Sequence, residues 1–178
     1  MEVRHVMSRR DNLKGTLGAL GLAHGGKKAS AADAAAAAGI EKLELPKAEW
    51  KKRLAPEAYA VLFEEGTERS HTSPLDKEKG AGTYVCAACM LPLFESSTKF
   101  ESGTGWPSFF RPMQGHVATS TDFKLILPRT EYHCARCGGH QGHVFDDGPP
   151  PTGLRYCNNG VALRFVPEGE ALPVLVRS

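Results

Sequence analysis

Five cysteines sort themselves by spacing. Cys86 with Cys89, and Cys134 with Cys137, form two C-x-x-C pairs well separated in the chain. Two such pairs are the usual ligand set of a closed tetrahedral zinc site, and four thiolates leave no open position for water, so the Zn2+ is structural. A redox C-x-x-C is the alternative, but it normally comes singly in a βαβ pattern that this chain lacks. Cys157 is left over, in the run Pro151 to Gly160, two residues after Arg155. A cation beside a free thiol favours the thiolate and makes Cys157 a candidate nucleophile. A lone cysteine is equally read as a buried small hydrophobe.

The elements that must position these sulfurs occupy the middle of the chain. The 178 residues suit one domain with extensions, and 41% hydrophobic residues suffice for a core. A formal charge of +2 implies no nucleic-acid partner. No apolar run approaches the ~20 residues of a membrane span. Residues 1–42 differ in composition from the rest. Ser8, Arg9, Arg10, Asp11, Asn12, Leu13, Lys14 resembles a bacterial twin-arginine export signal, with Asn12 departing from it. A short apolar stretch and the small residues Ala29, Ser30, Ala31 follow, the layout of a removable leader and of an exported or periplasmic protein. A disordered tail on a cytoplasmic protein is the alternative.

From residue 43 to 169 the pattern is that of a folded domain, with 170–178 as a tail. Pro56 suits the first position of a helix carrying Tyr59, Leu62 and Phe63, with Gly66 as its stop. Short strands are predicted at Tyr84–Cys86, Asp122–Leu127, Thr130–Cys134, Gly142–Phe145, Leu154–Cys157 and Val161–Val166. Phe123, Leu125 and Leu127 alternate along the second of these, and Val161, Leu163 and Phe165 along the last. Gly138 is expected to permit a close backbone approach after the second cysteine pair. The fold class is mainly β, with two antiparallel sheets and short N-terminal helices.

Three motifs then carry a resemblance. Ser102 to Phe109 (Ser-Gly-Thr-Gly-Trp-Pro-Ser-Phe), His140 to Pro149, and Thr152 to Asn159 stand in one order with both C-x-x-C pairs and Gly66, Thr67, Glu68. The chain from about 47 to 168 resembles the methionine-R-sulfoxide reductase (MsrB) family, whose fold is a β-sandwich or β-tent. The resemblance implies that Cys157 is the nucleophile attacking a sulfoxide sulfur and that His143 and His140 supply the proton. It implies that Asp147 orients the histidines or their water, that Arg155 lowers the thiol pKa, and that Asn159 lies near the thiol. Trp106 and Phe109 match the substrate-binding residues, the indole being the wall for the substrate methyl.

The implied substrates are proteins or peptides carrying methionine sulfoxide. Many family members resolve the sulfenic acid with a second cysteine where this chain has Thr104. An external thiol is therefore expected, from a thioredoxin-like protein or a small molecule. Gly160 replaces a serine common in the family, a change expected to affect packing more than chemistry. A non-catalytic zinc-binding β-domain recognising a protein or small ligand is the rival from another class. A general thiol peroxidase is a further one.

Overall fold

The computed structural model describes residues 38–124 and 127–178. The arginine pair and the small-residue run of the leader-like segment lie outside the described residues. Among the described residues two helices come first, α1 (Lys47–Arg53) and α2 (Pro56–Glu64). Pro56 opens α2, where a missing N–H costs nothing. The helix stops because Glu65 takes a left-handed conformation (φ 53°), after which the Gly66 N–H bonds the Ala60 carbonyl. Trp50 of α1 is 1% exposed and stacks on Phe63 of α2 at 5.1 Å. No described helix is long and apolar enough to cross a membrane.

Nine strands follow: β1 (Gly82–Cys86), β2 (Pro92–Glu95), β3 (Lys99–Phe100), β4 (Ser108–Phe109), β5 (Val117–Asp122), β6 (Arg129–Cys134), β7 (His140–Phe145), β8 (Arg155–Asn158) and β9 (Leu163–Pro167). They form two antiparallel sheets, β2-β1-β9 and β3-β4-β8-β7-β6-β5. An aromatic layer joins the sheets. Phe94 of β2 stacks on Phe109 of β4 at 4.2 Å, and Tyr84 of β1 meets the same ring edge-on at 4.9 Å. Offset and edge-to-face pairs of this kind add about 0.5–1.5 kcal/mol each beyond their buried area.

The strand expected at Asp122–Leu127 is displaced. β5 ends at Asp122, and Phe123 and Leu127 are exposed by 73% and 74% instead of sharing a buried face. Leu125 and Ile126 lie outside the described residues. Alternation misled here because the apolar residues sit beyond the strand, not in it. The last strand also starts later than expected, since Gly160–Ala162 form a 3-10 turn before β9.

The four paired cysteines bring the ends of β1 and β6 together. Their Sγ atoms all lie within 4.8 Å of one another, with Cys86–Cys137 at 3.7 Å and Cys89–Cys134 at 3.5 Å. A tetrahedral zinc with ~2.3 Å bonds sets its sulfurs about 3.8 Å apart, so the thiols fit the ion. Burial pushes the Cys134 thiol up, and a divalent cation reverses that preference. Gly138 closes the second knuckle through a left-handed turn (φ 71°), its N–H bonding the Cys134 carbonyl. Nothing lies within 4 Å of where its Cβ would be, so conformation and not close approach explains this glycine.

The cluster also holds both ends of the described chain. The Leu43 N–H bonds the Arg136 carbonyl, the Val176 N–H bonds the Cys89 carbonyl, and Arg136 Nη2 bonds the Val176 carbonyl. A comparable zinc site contributes roughly 10–16 kcal/mol, as much as the ~5–15 kcal/mol net stability of a domain. Stripping the metal with a chelator under reducing conditions is expected to abolish the cooperative thermal transition seen by circular dichroism. An unchanged Tm in the metal-free protein overturns a structural role.

Candidate active site

In-register pairing lays one row of side chains across the large sheet. Ser120 of β5 faces Glu131 of β6, Glu131 faces His143 of β7, His143 faces Cys157 of β8, and Cys157 faces Ser108 of β4. Directly opposed residues share a face, with Cβ atoms about 4.5–5.5 Å apart. The thiol and an imidazole are thus neighbours by backbone geometry alone. Gly142 makes the β7–β8 approach possible, because a Cβ there would lie 1.9 Å from the Cys157 carbonyl oxygen.

His140 reaches this face through a β-bulge. Tyr132 pairs with Gly142 but His133 pairs with His140, so Gln141 is an extra residue on β7. Without it, strict alternation would put Gln141 opposite His133 and turn His140 into the core. With it, the rings of His140 and His143 stand 5.4 Å apart. The displaced Gln141 is fully buried, and its Nε2 donates to Cys86 Sγ at 3.5 Å.

Two carboxylates, neither evident in the sequence, hold the histidines. Asp122 Oδ2 accepts from His143 Nε2 at 2.8 Å and from Arg129 Nη2 at 2.6 Å, while its Oδ1 accepts from the Lys124 N–H at 2.9 Å. These donors, the Lys124 amide foremost, keep its carboxyl well below the usual range. Glu131 accepts from Nδ1 of His140 at 2.8 Å and Nδ1 of His133 at 3.0 Å, and from Ser120. Burial works to raise Glu131, but His133, His140 and Ser120 outweigh it. Since an ionised carboxylate only accepts, His143 carries its proton on Nε2 and leaves Nδ1 free when neutral. Burial depresses the His143 pKa, Asp122 opposing and Arg129 and His140 reinforcing the shift.

Asp147 does not hold the histidines. Its carboxylate grips Arg155 through Nε at 2.8 Å and Nη2 at 2.9 Å, and the guanidinium also lies over the Phe145 ring at 4.4 Å. The Cys157 thiol is raised from its ordinary value, not lowered. Burial is the largest influence, and it outweighs the lowering effects of the Arg155 charge and the Thr104 hydroxyl. Thr104 belongs to a hydroxyl chain with Ser102 and Ser108, each link 2.8 Å.

Asn159 braces the turn after the thiol. Its Nδ2 donates to the Gln141 carbonyl at 2.9 Å, and its Oδ1 accepts the Glu68 N–H at 3.0 Å. Glu68 also takes the Gly160 and Val161 N–H groups on its carboxylate, and its carbonyl accepts Trp106 Nε1 at 3.1 Å. Cys157, His143, Trp106, Phe145, Asn159, Arg129 and Thr67 then line one notch of about 120 Å³. Phe109 is not among them. It is 0% exposed within the inter-sheet aromatic layer, a core residue and not a substrate contact. His140 lines the wider cleft of about 620 Å³ next to the notch.

A protein-family model described as the SelR domain matches residues 54–167. A "Peptide methionine sulfoxide reductase MsrB" of Leptospira interrogans is 54% identical over 121 residues, 67% of this chain and 92% of that one. The protein of that name from Pseudomonas putida is 50% identical over 133 residues, 74% of this chain and 100% of that one. A "Peptide methionine sulfoxide reductase B1, chloroplastic" of Arabidopsis thaliana is 53% identical over 118 residues, 66% of this chain and 58% of that one. With a family match across residues 54–167 and 50–54% identity to these proteins over most of their length, the chain belongs to the MsrB family of peptide methionine sulfoxide reductases.

Proposed function

We propose that this chain is a peptide-methionine (R)-S-oxide reductase whose nucleophile is Cys157, regenerated by an external thiol. The observation that carries the reading is the meeting of Cys157, His143 and Trp106 in one notch, on a row set by strand register. The half-buried indole, fixed by its bond to Glu68, offers an apolar surface for the methyl group of the sulfoxide.

The chemistry needs no net proton. A thiol and a sulfoxide become a sulfenic acid and a sulfide: a sulfur–sulfur interaction forms as the S–O bond breaks, and oxygen passes to Cys157. The thiol starts protonated, since burial raises it. The His143 imidazole, neutral at pH 7 with Nδ1 free, takes the thiol proton and returns it to the oxygen as that atom gains charge. His140 stands beside it as a second imidazole, held through Glu131. Arg155 stabilises the transient thiolate while Asp147 fixes the guanidinium plane.

Four of the five cysteines belong to the metal cluster, and Thr104 occupies the motif position where a resolving cysteine is otherwise found. An external thiol then attacks the sulfenic sulfur, releasing water and leaving a mixed disulfide that a second thiol reduces. The donor is a thioredoxin-like protein or a small thiol.

Cys157→Ser is expected to lower dithiothreitol-driven reduction of a methionine sulfoxide peptide by at least about a thousandfold with zinc content unchanged. Activity retained in that variant sinks the reading. After one turnover without reductant, one thiol should be lost and Cys157 should react with a sulfenic-acid probe. Loss of two thiols with an intramolecular disulfide through Cys157 refutes the one-cysteine cycle. Proton NMR titration should place His143 below the ordinary imidazole value of ~6.5. Asp122→Asn should lower it further, because the carboxylate is what favours the imidazolium; a rise in that variant contradicts the electrostatic account.

A further inference from the structure

Accepting that reading of the notch, its size raises a question about the rest of the substrate. At about 120 Å³ it is well below the ~300–1,000 Å³ typical of ligand pockets. It suits the end of one side chain and leaves no space for a peptide backbone. The adjoining cleft, about 620 Å³, shares Thr67, Arg129 and His143 with the notch, so the two lie side by side on one surface. One side of the cleft is the end of α2, with Leu62 and Phe63. The other is the β5 end, with Ser120, Thr121 and Asp122, and Phe123 immediately beyond.

Phe123 stands out on this surface. It is 73% exposed on the cleft wall, and it follows the residue that anchors His143. On one side the Asp122–Arg129 bridge ties β5 to β6, and on the other Lys124 Nζ lies 2.5 Å from the Glu65 carboxylate at the end of α2. The aromatic ring is thus displayed beside the opening to the thiol. An exposed aromatic side chain can cover apolar area on an incoming chain at low entropic cost.

We propose that this cleft receives the residues flanking the oxidised methionine in an extended polypeptide, with Phe123 contacting an apolar side chain next to the sulfoxide. Phe123 is then a specificity-determining residue, separating polypeptide substrates from the isolated amino acid. The cleft has a lining of both polar and apolar groups, as a peptide with its own amides requires. Its shared wall with the notch selects this occupant over an unrelated partner.

The test uses the full zinc-bound chain with dithiothreitol as reductant. Its two substrates are a capped nine-residue peptide with central methionine sulfoxide flanked by leucine, and N-acetylmethionine sulfoxide amide. Phe123→Ala is expected to raise KM for the peptide about five- to tenfold with kcat unchanged. The capped single residue should be unaffected, and Phe123→Trp should restore the peptide KM. Equal loss on both substrates, or no change on either, overturns the proposal. So does a wild-type dimer in solution that Phe123→Ala dissociates, since the cleft wall would then serve a second copy. A wild-type chain that reduces neither substrate overturns instead the reading of the notch itself.

Discussion

One extra residue in a strand organises the molecule. The bulge at Gln141 reverses the in–out alternation of β7, so that both histidines share a face while the glutamine side chain enters the core. A buried amide must be satisfied or it costs about 1–3 kcal/mol. Gln141 meets that demand from both ends, with Nε2 at Cys86 Sγ and Oε1 near Asn158 Nδ2 at 3.4 Å. Its carbonyl accepts both the N–H and the side-chain amide of Asn159. The metal cluster and the turn after the nucleophile therefore hold the same residue. A structural zinc remote from the chemistry becomes part of what fixes the chemistry's geometry.

A second brace comes from the loop after α2. Glu68 makes no contact with the thiol, yet its carboxylate binds two backbone N–H groups of the Gly160 turn and its carbonyl binds the indole. Its own N–H goes to Asn159. The helices thus serve the site through one acidic residue at their exit. The apolar wall and the strand end carrying Cys157 are fixed relative to each other from the same point. This suits a reaction needing a methyl group and a sulfur placed to within a fraction of an ångström.

The sequence was legible where the chemistry is local. C-x-x-C spacing alone divides the sulfurs correctly, and Pro56 marks the start of α2 to the residue. It was opaque where register decides. Asp122 and Glu131 become histidine partners only because β5, β6 and β7 align as they do, and a carboxylate in a short strand carries no local mark of its partner. Asp147, nearer in sequence to the histidines, belongs to Arg155. Phe109 is instructive in another way. Period-two alternation places it only once the β4–β8 register is known: Ser108 opposes Cys157 on the reactive face, so the next residue must turn into the core. Its proximity to Trp106 in a shared motif obscured that reading.

The departures from the family pattern divide along the same line between packing and chemistry. At Gly160 a Cβ would lie 1.9 Å from Ser73 Oγ, an atom that already accepts the Leu75 N–H to cap the turn at Pro74–Asp76. A serine at 160 would have to displace that cap, so Gly160 and Ser73 form a matched pair remote from the sulfur. Thr104 is different, because it is tied to Ser102 and through it to Ser108, the residue opposite Cys157 in the sheet. A hydroxyl cannot form a disulfide, but it donates to an anionic sulfur and accepts from a protonated one. The position where the family pattern often has a second cysteine here carries only a hydroxyl. On the proposed one-cysteine cycle the oxidised state lasts until an outside thiol arrives, so an open approach to Cys157 becomes a requirement of that cycle.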